Sequence, residues 1–183
     1  MSIELYSDND LIIGCLDSKR QYQEILYRRF AKKMYGVCLS YAGDRDFAMD
    51  ILQESFIKVF NKIDSFKNEG SLEGWIRRIV VNTAIDLIRQ RKNIDKHLKE
   101  EIVEHQGYID SNILPRLQLQ ELVEFIKKLP EGARVIFNLF AMEGYTHKQI
   151  AEELHISEGT SKSQYNRARG LLKNWLAEIY ERR

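Results

Sequence analysis

With 183 residues, 44% of them hydrophobic and 30% charged, the chain can bury one or two modest cores and lies outside the range of disordered proteins. A formal net charge of +1 excludes a surface coated in basic residues, so any nucleic-acid contact has to come from local patches. The two cysteines, Cys15 and Cys38, lack CxxC or histidine-ligand spacing, which argues against a disulfide framework or a metal site and for buried free thiols.

The N-terminal stretch MSIELYSDND has neither the basic nor the apolar region of a signal peptide, and no apolar run approaches membrane-spanning length. A soluble, cytoplasmic protein without membrane insertion is expected. Asp8 or Asp10 is placed to cap a short helix containing Leu11, Ile12 and Leu16, and Asp17 or Ser18 to open a longer one. In that second helix Tyr22, Ile25, Leu26, Phe30, Met34, Val37, Cys38 and Tyr41 recur at three-to-four spacing, and Gly43 is a plausible stop. Asp44 or Asp46 begins a third, with Phe47, Ile51, Leu52, Phe56, Val59 and Phe60 turned inward. Its remaining face carries Asp50, Gln53 and Glu54, an acidic, amide-bearing surface of a kind that is ordinarily just solvated.

Residues 63–71, IDSFKNEGS, have the composition of a contacting loop. Ser71 then caps a helix over 72–91 whose apolar arc comprises Leu72, Ile76, Ile79, Val80, Thr83 and Leu87. A second stripe, Trp75, Arg78, Asn82, Asp86 and Arg89, follows steps of three or four along the edge and back of the same helix. An indole to lie against a base, an amide for a base edge and two guanidinium groups for phosphates would suit an unpaired strand. Alternatively Trp75 completes the core, and Arg78, Asp86 and Arg89 form solvated ion pairs of little worth. The residues alone leave both descriptions open.

Periodicity fails over 92–115, which contains Gly107 and Pro115 and reads as a linker; His97 and His105 within it lack partners at ligand spacing. Helix resumes over 116–129 with Leu119, Leu122, Val123 and Ile126 inward. A break at Leu129-Pro130-Glu131 precedes a helix bearing Val135, Ile136, Leu139 and Phe140, which Gly144 ends. Residues 146–173 carry a helix-turn-helix pattern. Thr146 and Gln149 have the spacing of a capping box, Ile150, Ala151 and Leu154 form the buried side of the first helix, Ile156 fills the turn, and Ser157 caps the second. On that second helix Ser161, Tyr165, Ala168 and Leu172 fall on one side, with Gly159, Ser163, Asn166 and Arg167 opposite and Thr160 and Lys162 flanking them. Lys162, Arg167, Arg169 and Lys173 meet only Glu158 in opposing charge. An ordinary helical hairpin with a solvated polar face would share this pattern.

The predicted architecture is all-α: two small helical domains, 1–91 and 116–183, joined by a linker over 92–115. At this point the residues resemble a known family. The run LPEGARVIFNLFAMEGYTHKQIAEELHISEGTSKSQYNRARGLLK is similar to the promoter-recognition domain of bacterial RNA polymerase sigma factors, and DRDFAMDILQESFIKVF with SLEGWIRRIVVNTAIDLIRQRK is similar to their other DNA-contacting domain. With only these two domains, the chain looks like the extracytoplasmic-function (ECF) group of the sigma-70 family.

That resemblance implies an alternative sigma factor which binds core RNA polymerase, directs it to promoter DNA, helps open the duplex and is held inactive by an anti-sigma factor. It implies no catalysis, no cofactor and no metal. Asp50, Gln53 and Glu54 match the surface that docks on a coiled coil of the largest polymerase subunit. The elements bearing Asp64, Phe66, Lys67, Asn68, Trp75, Arg78, Asn82 and Arg89 match those that take the downstream promoter element as single strand. Thr160, Lys162, Ser163, Gln164, Asn166 and Arg167 match the region that enters the major groove of the upstream element. Here the chain departs from the commonest family pattern, which has an apolar residue at Ser161, a basic one at Gln164 and leucine at Tyr165. The rival functions are a self-sufficient helix-turn-helix regulator, which would need no polymerase to bind its site, and a recombinase or nuclease, which would cleave DNA.

Overall fold

The structure, a computed structural model, describes residues 6–91 and 119–181, apart from the side chains of residues 119–122 and 178–181. The predicted linker, with His97 and His105, lies outside the described residues, as do the side chains of Leu119 and Leu122. All the regular elements described are helical. They are α1 (Asp8–Leu16), α2 (Arg20–Ala42), α3 (Arg45–Asn61), a 3-10 turn (Ile63–Ser65), α4 (Leu72–Gln90), α5 (Leu119–Lys128), α6 (Glu131–Phe137), a π-helical turn (Asn138–Met142), α7 (His147–Leu154) and α8 (Glu158–Glu181). The chain divides into two compact units, Met1–Ala84 and Ile85–Arg183, the division falling inside α4.

In the first unit α2 packs against both α1 and α3, and the 3-10 turn closes against α1 and α3. The periodic apolar residues of α2 and α3 form the core as expected, from Leu26 and Met34 to Ile51 and Val59, although Tyr22 and Phe60 are only half-buried. Cys15 and Cys38 are buried free thiols, and desolvation pushes them up to about 11 and about 12 respectively, so neither is a nucleophile at neutral pH. Gly43 ends α2 in a left-handed conformation at φ 82, its amide donating to the Leu39 carbonyl. Asp44, not Asp46, caps α3: its carboxylate accepts from the Phe47 amide at 2.7 Å.

Two expected caps are corrected. Ser7 opens α1, its hydroxyl accepting from the Asp10 amide at 3.1 Å while the Asp10 carboxylate accepts from the Ser7 amide at 2.8 Å. Asp10 is therefore the return arm of a capping box, and the Ser7 hydroxyl, donating to its carboxylate at 2.6 Å, together with the Ser7 amide holds that carboxyl below the usual range. Asp17 and Ser18 do not open α2. Asp17 is the C-cap of α1, Ser18 turns the chain at φ 56, and Lys19 precedes α2 with no side-chain cap. The N-cap position of α2 is held by Lys19, whose side chain has no acceptor to offer the helix amides.

On α4 the buried arc is wider than predicted. Leu72, Ile76, Val80 and Thr83 are joined by Val81, Ala84, Ile85 and Ile88, whereas Ile79 and Leu87 are half-buried. Lys33 of α2 pairs with Glu73 in the first turn of α4 at 2.8 Å.

In the second unit α5, α6 and α7 each pack on α8. Ile126, Leu129, Ala133, Phe137, Ala168 and Leu172 form one buried cluster, flanked by Phe125, Tyr165, Leu171 and Trp175. Arg134 is also buried. Its guanidinium donates to the carbonyls of Lys127 at 3.2 Å and Leu129 at 2.9 Å, satisfying backbone acceptors at the C-terminal end of α5. A π-helical turn follows α6, and Gly144, at φ +75, ends it.

The approach of α1 to α2 has a sharp consequence. A Cβ at Gly14 would lie 2.1 Å from Cγ of Tyr22, at the root of a ring that cannot swing aside without leaving its seat. Gly14→Ala should lower unfolding free energy by about 1–3 kcal/mol, the usual cost of overpacking, measured by urea denaturation against wild type.

Candidate nucleic-acid interface

The helix-turn-helix forms with the predicted caps. The Thr146 hydroxyl accepts from the Gln149 amide at 3.2 Å, and the Gln149 side chain accepts from the Thr146 amide at 2.9 Å. His155 ends α7 in the left-handed region at φ 54, and the Ser157 hydroxyl accepts from the Thr160 amide at 2.9 Å at the start of α8. Ile150 and Leu154 are buried, while Ala151 and Ile156 are half-buried.

With the ends of α8 set, burial sorts its side chains. Ser161, Gln164, Ala168, Leu172 and Leu176 face the core, and Tyr165 lies at its edge. Lys162, Ser163 and Asn166 are exposed; Thr160 and Arg167 are half-buried. Gln164, expected among the DNA-facing residues, is 3% exposed and has almost no surface to offer a duplex. The correction follows from helical phase: steps of three and four carry Gln164 onto the arc of Ser161 and Ala168.

Two departures from the commonest family pattern occupy one site. Ser161 Oγ lies 2.9 Å from His147 Nδ1, linking the first turns of α7 and α8. The His147 ring stacks on Phe140 at 4.3 Å with an interplanar angle of 16° and meets Tyr165 edge-on at 5.7 Å; Tyr165 in turn lies 4.5 Å from Phe140. Ser161 and Tyr165 thus supply a hydrogen bond and an aromatic cluster at this site. On the outer face Lys162 pairs with Glu158 at 2.8 Å, a bond that holds the Glu158 carboxyl below its usual range. Both groups are exposed, so the pair adds little stability and is readily broken by a competing anion.

In the first unit Asp64 lies in the 3-10 turn, and Lys67 and Asn68 are exposed in the following loop, where Asn68 at φ 57 and Gly70 at φ +98 reverse the chain. Ser71 Oγ then accepts from the Gly74 amide at 3.1 Å and starts α4. Phe66 and Trp75 are both half-buried, with ring centroids 5.5 Å apart. Trp75 is thus neither sealed in the core nor fully in water. Arg78, Asn82, Asp86 and Arg89 are exposed on α4, as the second stripe predicts.

On α3, Asp50 and Gln53 are exposed and Glu54 half-buried. The sequence reading did not mark Met49 and Ile57, which are 41% and 54% exposed and lie one turn to either side of Gln53. Their spacing of four on either side of that glutamine was the available signal, and it makes the face mixed apolar and acidic. Among the described residues no cluster of three or more His, Cys, Asp or Glu side chains could hold a metal ion, and no helix is long and apolar enough to cross a membrane.

The family models define the class, a helical protein with two domains of the sigma-70 type. The family model described as sigma-70 region 2 matches residues 26–94, and that described as sigma-70, region 4 matches residues 119–172. The ECF RNA polymerase sigma factor SigW of Bacillus subtilis is 30% identical over 162 residues, covering 82% of this chain and 86% of that protein. The ECF RNA polymerase sigma-E factor of Haemophilus influenzae is 29% identical over 182 residues, 93% of this chain and 96% of that protein. SigE of Mycolicibacterium smegmatis, another ECF RNA polymerase sigma factor, is 30% identical over 162 residues; these are 84% of this chain but 61% of that longer protein. The chain belongs to the ECF RNA polymerase sigma factors.

Burial, aided by the charge of Lys162 and opposed by that of Glu158, holds His147 below its ordinary 6.5. The folded state therefore binds fewer protons than the unfolded chain as pH falls through that value, and stability declines with it. His147→Phe, which keeps an aromatic ring but cannot titrate, should show a shallower loss of thermal midpoint than wild type between about pH 7.5 and about pH 5.5. Parallel curves would mean that His147 titrates alike in both states.

Proposed function

We propose that this chain binds core RNA polymerase, directs it to particular promoters by reading two DNA elements, and assists strand opening. The observation that carries this reading is the presence, in one chain and in this order, of a sigma-70 region 2 and a region 4 whose capped helix-turn-helix exposes Lys162, Ser163 and Asn166. In the upstream element α8 enters the major groove, where Lys162 or Arg167 pairs with guanine and Thr160, Ser163 and Asn166 complete the contact. Gln164 is left out of this set on account of its burial.

In the downstream element the loop with Asp64, Phe66, Lys67 and Asn68 and the α4 residues Trp75, Arg78, Asn82 and Arg89 receive separated strands. Extruding a base costs a few kcal/mol, which stacking and hydrogen bonding in a protein pocket can offset. Opening then needs no bond chemistry, because a chain that binds only the unpaired state pulls the equilibrium toward it by mass action. Sigma factors are initiation factors, and this chain acts as a binding subunit in the cytoplasm without a cofactor. Asp50, Gln53 and Glu54 dock on the polymerase, with Met49 and Ile57 supplying apolar area beside them. An anti-sigma protein is the restraining partner that the family resemblance implies.

Run-off transcription with core polymerase on genomic fragments tests the reading directly. Specific transcripts that require the chain are expected; a purified chain that neither pulls down core enzyme nor steers it would overturn the assignment. Arg167→Ala should reduce output from the promoters so found and relax preference at one upstream position by about 1–3 kcal/mol. Asn82→Ala should impair opening more than core binding, and a template with a pre-opened bubble should relieve the defect. Failure of the bubble to do so would remove Asn82 from base capture.

A further inference from the structure

The half-buried His147 imidazole is held at a face, at an edge and at one nitrogen. Its plane is set by the Phe140 ring 4.3 Å away and by the edge of Tyr165, and its Nδ1 by Ser161 Oγ at 2.9 Å. Among the described residues no hydrogen bond is made to Nε2. A ring clamped on its faces and on one nitrogen, with the other nitrogen unused, is a pre-oriented single-point donor or acceptor. When the Ser161 hydroxyl donates to Nδ1, the imidazole proton resides on Nε2 and Nε2 is a donor; when the hydroxyl accepts from Nδ1, the roles reverse.

We propose that His147 Nε2–H donates to one backbone phosphate of the upstream promoter duplex, in the tautomer in which the Ser161 hydroxyl donates to Nδ1. The inference rests on reading the helix-turn-helix as the duplex-binding element. In that geometry the second helix enters the major groove while the first crosses the sugar-phosphate backbone. His147 belongs to the first turn of α7 and is tied directly to the first turn of α8, so it sits where the two roles meet. Lys162 and Glu158 are the charged groups whose fields reach the ring, and they oppose one another. A phosphate that draws Lys162 away from Glu158 would approach the same neighbourhood. The contact positions the duplex and carries no base preference of its own.

The test uses the full chain assembled with core polymerase on an upstream-element promoter duplex, replacing one phosphate at a time with an uncharged methylphosphonate. Wild type should lose affinity at a small set of phosphates. His147→Phe, which preserves the ring against Phe140 and Tyr165, should bind unmodified duplex about tenfold more weakly, the usual worth of a hydrogen bond to a charged group. It should also be insensitive to replacement at one phosphate of that set while keeping the rest of the profile. Ser161→Ala, which keeps the ring contacts to Phe140 and Tyr165 but removes the partner that orients Nδ1, should lose affinity several-fold with its sensitivity reduced at that same phosphate.

An unchanged profile in His147→Phe overturns the contact, and so does a loss of affinity spread evenly over all positions, which would mark a merely structural role. A wild-type complex indifferent to every methylphosphonate upstream would instead overturn the duplex-binding reading itself, and the contact with it.

Discussion

The second unit depends on how α8 is packed. A helix that must bury Ser161, Gln164, Ala168 and Leu172 against α5, α6 and α7 has no choice about what it turns outward. Each residue advances the helix by about 100°, so rotation by a single position would exchange buried serine for exposed lysine along the whole element. Burying Leu172 and its neighbours in the cluster contributes roughly 1.5–3 kcal/mol for each large apolar side chain. That sum far outweighs any exposed ion pair on the opposite face. The presented set of Lys162, Ser163 and Asn166 is therefore a consequence of core packing, and its own bonds, such as Lys162 to Glu158, are weak enough to be exchanged for those of a ligand.

The same division of labour holds in the first unit. Apolar arcs on α2, α3 and α4 are buried, and what remains outside is chemically sorted by helix: a mixed apolar and acidic face on α3, amide and guanidinium groups on α4. Trp75 belongs to both worlds, half-buried against Phe66 yet beside exposed residues. An aromatic held in this way keeps a rigid surface ready for stacking while its neighbours anchor it, which lowers the ordering cost of any contact it makes.

Membership of the ECF RNA polymerase sigma factors accounts for the arrangement as a whole, and the seam between α7 and α8 is polar. Ser161 and Tyr165 build a hydrogen bond and an aromatic cluster around His147. A buried hydroxyl is tolerated when it finds a partner, and here the partner lies on the adjoining helix. The bond ties the angle between the two helices to a directional interaction as well as to shape. Under the proposed function, that angle sets how the recognition helix meets the groove.

Much of this was visible in the amino-acid sequence, because capping and periodicity act within a few residues of one another. Thr146 with Gln149, Ser157, Ser71 and Gly43 mark helix ends by local chemistry alone, and the apolar steps of α2, α3 and α8 announce which face is buried. Helical phase likewise puts Gln164 on the buried arc of α8. Only the tertiary structure decided the edges of those faces. Trp75 is half-hidden and the α4 arc widened to Ile88, since burial at the margin of an arc depends on which other helix lies across it. The tertiary structure also decided that Arg134 would close the end of α5 and that Ser161 would meet His147, fourteen residues away. These pairings join residues on different helices, and local spacing carries no information about where another helix will lie.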